Sequence, residues 1–117
     1  APIVLLHAAW PHVDAAAYLA AARPNVSVDL SLVNVFAPTR TADALARLLA
    51  LAPPPRVLLG TDAYALPELY WFAATVLREA WAVVADGLVA GGPDRGWLAE
   101  AERGMFEENA RRLYGLE

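Results

Sequence analysis

Two positions in this chain carry side chains suited to metal or acid–base chemistry. His7 closes the run Ile3-Val4-Leu5-Leu6, and Asp62 closes Arg56-Val57-Leu58-Leu59-Gly60-Thr61. Each follows a short β-branched and leucine run of the kind that forms a buried strand. A neutral imidazole and a carboxylate converging on one rim are good ligands for zinc or a similar divalent ion. They serve equally well as a general base and its orienting partner. By strand alternation His7 shares a face with Ile3 and Leu5, and Asp62 shares one with Leu58 and Gly60. Gly60 has no side chain, so it leaves space beneath the Asp62 carboxylate.

Plainer roles stand beside these. A lone His after a strand is often a hydrogen-bonded loop residue, and an Asp after a glycine often forms a turn or caps the next helix. Asp29 lies between Ser27 and Ser31 on the polar face of the middle strand, where a structural hydrogen-bonding role outweighs a catalytic one. Trp10, Tyr70 and Trp71 have spacings that suit packing more than a pocket wall, and His12 reads as solvent-facing at a helix start. Arg111 and Arg112 fall in the last turn of the final helix, where they favour its negative end.

The elements that must position these groups follow from periodicity and punctuation. The first strand covers Ile3 to Leu6, and Ala8 to Pro11 reads as a loop. Asp14 is an N-cap or first-turn acid for an alanine-rich helix over Ala15 to Ala22, which Pro24 ends. Val26 to Leu32 alternates, with Val26, Val28, Leu30 and Leu32 on one face. Thr39 or Thr41 caps a helix whose apolar side holds Leu45, Leu48, Leu49 and Ala52, and Pro53-Pro54-Pro55 stops it. Arg56 to Leu59 is the third strand. Pro67 and Glu68 suit the first turn of a long helix, which Gly87 and then Gly91-Gly92-Pro93 break. Asp94 caps a last helix closed by Gly115. Strands alternating with helices, about 20 residues from strand to strand, predict right-handed βαβ units and a parallel sheet.

Composition narrows the partners. The chain has 117 residues, 58% of them apolar, against a globular norm of roughly 45–50%. Its mean hydropathy is +0.37. No run approaches the roughly 20 apolar residues a bilayer requires, so the surplus is expected in a sheet buried on both faces. There is no cysteine, which removes disulfides and thiolate ligands. The net charge is −4, and all nine basic residues are Arg, scattered along the chain. Nucleic acid, which requires a clustered basic face, and membrane are therefore not expected partners. The start has no basic flank ahead of its apolar run, and a cytoplasmic setting is expected.

Several segments together resemble the amidohydrolase-2 family of metal-dependent hydrolases. Leu5-Leu6-His7, Trp10-Pro11, Tyr18-Leu19, Pro24-Asn25-Val26 and Asp29-Leu30-Ser31 are similar to its late barrel segment. Gly60-Thr61-Asp62 with Pro67-Glu68 resembles its last strand, and Asn109 to Leu116 its usual ending. The flavour is that of the branch fused, in some proteins, to a glutamine synthetase-type domain. The resemblance implies an α/β fold that is the C-terminal portion of a (β/α)8 TIM barrel. Residues 1–117 then form one partial barrel, with three parallel strands (the sixth to eighth) alternating with helices, plus a C-terminal helix. It implies Asp62 at a divalent metal, zinc by preference, and His7 as a further ligand or acid/base group. Trp10 and Glu68 are the candidate substrate contacts. The implied reaction is hydrolysis or decarboxylation of a small molecule at a C–N or carboxylated centre, with the metal lowering the pKa of its water.

The chain also departs from that family. The H-x-H of the first strand and the His near the fifth have no counterpart, and His12 stands where an aromatic is expected after Pro11. His7 and Asp62 alone fall short of three protein ligands. Three parallel strands cannot close a barrel. They are expected to leave an apolar interior face and two open edges, covered by self-association or by an N-terminal part. Two functions follow: part of a metal-dependent hydrolase, or a non-catalytic assembly module derived from such a barrel. A flavodoxin-like ligand-binding domain is disfavoured, since no glycine-rich phosphate loop follows any strand.

Overall fold

The computed structural model describes residues 1–117. Its three strands are β1 (Ile3–Leu5), β2 (Val26–Leu30) and β3 (Val57–Leu59), all parallel and in the spatial order β1-β2-β3. The helices are α1 (Val13–Ala22), α2 (Val33–Phe36), α3 (Thr41–Leu49), α4 (Pro67–Gly91), α5 (Arg95–Arg103) and α6 (Asn109–Tyr114). A π-helical turn, Gly104–Glu108, joins the last two.

Leu5, Val28 and Val57 share one row of the ladder, and Asp29 pairs with Leu58 in the next. Alternation therefore places Val26, Val28, Leu30 and Val57 on the helix side, where they join one core with Ala17 of α1, Leu45 and Leu48 of α3 and Trp81 of α4. Small alanines on α1 let that helix approach β2 closely. The opposite face is mixed rather than apolar: Val4, Leu6 and Leu58 lie beside Ser27, Asp29, Ser31 and Gly60. The expected burial on both faces holds around β2 and β3, where Ser27, Ser31 and Leu58 are buried as well as the helix-side residues, but the second face is too polar to account for the whole apolar surplus. Much of the surplus lies on the surface around and after β3, where Tyr64 is 66%, Trp71 72% and Val83 64% exposed.

Several element boundaries differ from expectation. β1 and β2 are shorter than predicted because the backbone turns left-handed at His7 and at Leu32, both with positive φ. Val33 to Phe36 forms an unforeseen single turn. Thr41 opens α3, but neither it nor Thr39 makes a side-chain cap bond. α4 runs straight through Gly87 to Gly91, and Gly92, at φ 117, ends it. A Cβ at Gly87 would meet nothing within 4 Å, so this glycine costs helix propensity without breaking the helix. Asp94 caps α5 as expected, its Oδ1 accepting from the Trp97 N–H at 2.7 Å.

The C-terminal elements are pinned to the base of the sheet by one buried amide. Asn109 Nδ2 donates to the carbonyls of Pro54 and Val57, each at 2.8 Å. Replacing Asn109 by Ala strands the buried Val57 carbonyl and the part-buried Pro54 carbonyl. The expected loss is about 1–3 kcal/mol of unfolding free energy, read as a lower urea midpoint at unchanged m-value. An unchanged midpoint would show that water replaces the clasp at no cost.

Candidate active site at the carboxyl ends of the strands

Parallel strands bring their carboxyl ends to one rim, and an open cavity of about 290 Å³ lies there, lined by Leu6, His7, Asp29, Ser31, Gly60 and Asp62. His7 reaches it by a route that alternation did not predict. Ile3 and Leu5 align with Val26 and Val28 on the helix side, so strict alternation would send His7 away from the cavity. The strand instead ends at Leu5, and His7, Ala8 and Ala9 all take left-handed conformations, with φ of 58°, 52° and 50°. For residues bearing a Cβ this costs about 1–2 kcal/mol each. The turn is held by the Trp10 N–H on the His7 carbonyl at 2.9 Å, and by Ala8, which is fully buried.

Asp62 follows the face predicted for it but also sits at positive φ, 48°. Its loop is tied back to β2. The Leu32 N–H donates to the Thr61 carbonyl at 3.1 Å, and the buried Asn34 Nδ2 donates to the Gly60 carbonyl at 3.1 Å. A Cβ at Gly60 would lie 3.7 Å from Asp29 Oδ1 and from Ser31 Cβ. A methyl fits there, and a longer side chain would fill the cavity floor.

The structure brings His7 and Asp62 together, with Nε2 3.8 Å from Asp62 Oδ2. It adds two neighbours. Ser31 Oγ donates to Asp29 Oδ2 at 3.0 Å and lies 3.3 Å from His7 Nδ1. Asp29 Oδ1 is buried without a partner. Sequence reasoning had given Asp29 a structural role; the alternation Ser27-Asp29-Ser31 was the available signal that it faces the rim. Trp10 and Glu68 are not among the residues lining the cavity. Trp10 packs edge-on against Phe36 at 6.4 Å between ring centroids, and Glu68 is exposed in the first turn of α4. His12 is exposed, as expected.

As a metal site the cavity is partial. No group of three or more His, Cys, Asp or Glu side chains that could hold an ion is assembled within this chain. Two ligands of a tetrahedral zinc stand roughly 3.3 Å apart, given zinc–ligand bonds of about 2.0–2.1 Å. The His7–Asp62 spacing is slightly wider, so the pair fits two corners of a site and leaves the rest to be supplied. No helix is long and apolar enough to cross a membrane.

Comparison with known proteins gives a consistent picture. A family model described as Amidohydrolase matches residues 1–116. Protein fluG of Emericella nidulans is 32% identical over 117 residues, covering 97% of this chain. A solved structure of a Lactobacillus casei protein assigned as a metal-dependent hydrolase superposes with a TM-score of 0.87 at 29% identity, covering 96% of this chain. The chain spans only 13% of the first relative and 29% of the second. Its three strands and their helices are thus a portion of a larger hydrolase-type fold.

Burial raises the Asp29 carboxyl above the ordinary Asp value of 3.8; the Ser31 hydrogen bond and His7 oppose the rise, and Asp62 adds to it. The folded state therefore holds this proton more tightly than the unfolded chain. The cost of burying the charge is fully present at neutral pH and is relieved as pH falls through the folded value toward 3.8. Asp29→Asn is expected to raise the melting temperature at neutral pH, with the gain shrinking as the pH is lowered. A gain that does not change with pH would show that charge burial is not its cause.

Proposed function

The chain belongs to the amidohydrolase family, and on that premise we propose that it supplies the C-terminal part of the active site of a metal-dependent hydrolase. In this reading its strands are the sixth, seventh and eighth of a (β/α)8 barrel, with residues 1–117 as one partial barrel. The observation that carries the proposal is the approach of His7 Nε2 to within 3.8 Å of Asp62 Oδ2 at the ends of two non-adjacent strands.

Asp62 and His7 are then the two groups of this chain that would hold a divalent ion, zinc by preference given imidazole and carboxylate donors. What such an ion supplies when bound is a Lewis acid and a water of lowered pKa. Asp62 would take up a proton from the attacking water and hand it on to the leaving group, while His7, where it is not itself a ligand, would orient the scissile group or act in proton transfer. The substrate is a small molecule with a C–N or related bond. Trp10 and Glu68 are the proposed contacts with its outer parts, and the setting is cytoplasmic. The remaining ligands come from outside these residues, which accords with the small share of its relatives that the chain spans.

The lack of a three-ligand cluster favours one other reading, a non-catalytic assembly module derived from such a barrel. The two part company on Asp62. In the intact protein, Asp62→Asn is expected to lower bound metal, measured by elemental analysis. Hydrolytic turnover should fall by more than about 100-fold, beyond the loss typical of an outer-shell partner. Unchanged metal content and turnover would remove Asp62 from the site.

We also propose that the sheet pairs with a second copy or with an N-terminal part. β1 and β3 each have an unpaired edge, and Ile3, Leu6, Tyr64 and Trp71 are exposed. Light scattering on the isolated 117 residues should give a mass above the 12.5 kDa of one chain. A well-folded monomer at high concentration would count against pairing with a second copy and leave the N-terminal part as the partner.

A further inference from the structure

The cavity contains one hydroxyl, that of Ser31, and its position fixes the direction of a short hydrogen-bond chain. Ser31 is 3% exposed, so its hydroxyl has little access to water. It lies 3.0 Å from Asp29 Oδ2 and 3.3 Å from His7 Nδ1, the latter at the long end of hydrogen-bond range. A hydroxyl has a single proton and two lone pairs, whereas an ionised carboxylate only accepts. The Ser31 proton is therefore committed to Asp29, and toward the ring Ser31 has only a lone pair to offer.

We infer that Asp29 and Ser31 are positioning residues that hold His7 as the Nδ1–H tautomer, leaving Nε2 unprotonated and directed toward Asp62. A neutral imidazole has one N–H, and the hydrogen bond made by one nitrogen decides which nitrogen keeps its lone pair. With Nδ1–H donating to Ser31, the lone pair falls on Nε2, the atom 3.8 Å from Asp62 Oδ2. An ion or a substrate proton can be taken up only at that lone pair. Metal-binding histidines commonly have their second nitrogen anchored in this manner, by a carboxylate, a carbonyl or water. Here a serine relays the carboxylate from the neighbouring strand. The tautomer follows from the geometry together with an ionised Asp29, while its use at an ion rests on the proposed function.

The test is nitrogen NMR of the intact protein with 15N-histidine labelling, metal-free, above the imidazole titration. The His7 signals are assigned by their loss in His7→Gln. His7 should show a protonated Nδ1 and a bare Nε2, while the exposed His12 shows the mixture typical of a solvated ring. In Ser31→Ala the His7 ratio should reverse toward Nε2–H, with the backbone amide spectrum reporting whether the fold is kept. Nε2–H in the unsubstituted protein overturns the inference whether or not the variant folds. So does a His7 tautomer unmoved by Ser31→Ala in a protein that keeps its fold. Zinc added afterwards separates the two proposals. A bare Nε2 that zinc leaves unshifted keeps the tautomer assignment and removes His7 from the metal site.

Discussion

Everything at the rim depends on the strands running in the same direction. Parallel pairing places Leu5, Val28 and Val57 in one row, so the residues beyond them in all three strands emerge on the same side. Were either outer strand reversed, its functional group would move to the far end of the sheet. At about 3.3 Å per residue, even a three-residue strand displaces it by roughly 10 Å, well beyond hydrogen-bond or metal reach. Direction is enforced by the crossovers. α1 returns the chain from β1 to β2 and α3 from β2 to β3, each burying an apolar side against the same face of the sheet.

Strands of three, five and three residues make a short ladder, and the fold is completed by side chains that reach across it. Two buried amides carry most of this. Asn34 ties the Gly60 carbonyl to the start of α4 through the Ala73 carbonyl, and Asn109 ties the entry of β3 to the C-terminal helices. Losing a buried partner costs about 1–3 kcal/mol. The bidentate Arg47–Asp14 pair joins α3 to α1 on the surface, where solvent screening leaves an ion pair little net effect. The buried amides therefore outweigh the ion pair, although the ion pair is the more conspicuous contact.

The element order and the sheet were legible because they are local. Alternation over Val26 to Leu30, the alanine face of α1 and the Asp94 cap each express themselves within a few residues. What escaped was non-local or conformational. Asn34 and Asn109 look like ordinary polar residues until partners 26 to 55 positions away are known. Nothing in His7-Ala8-Ala9 announces three left-handed residues, since such positions favour glycine or asparagine. His7 and Asp62 were identified from residue type and strand position, and the structure brings them together. The expected face was right for Asp62, and His7 arrives by a turn that breaks its alternation. For Asp29 a structural role outweighs a catalytic one on sequence, since alternation gives its face but not the ring of His7 that Ser31 brings beside it.

The left-handed turn gives the site its physical logic. Three non-glycine residues at positive φ persist only where the surroundings over-determine them. Here the restraints are the burial of Ala8 beneath, the Trp10 N–H behind and the Ser31 hydroxyl in front. Relaxing the turn to extended geometry would carry the imidazole to the helix side and leave Ser31 without its ring partner. It would also leave the Asp29 and Asp62 carboxylates facing one another with no imidazole between them. Strain in the backbone and order among the side chains are thus parts of one arrangement: the turn delivers the ring, and the Asp29–Ser31 pair gives it a reason to stay. The rim is thus held in place by contacts within these residues, before any group from outside them is added.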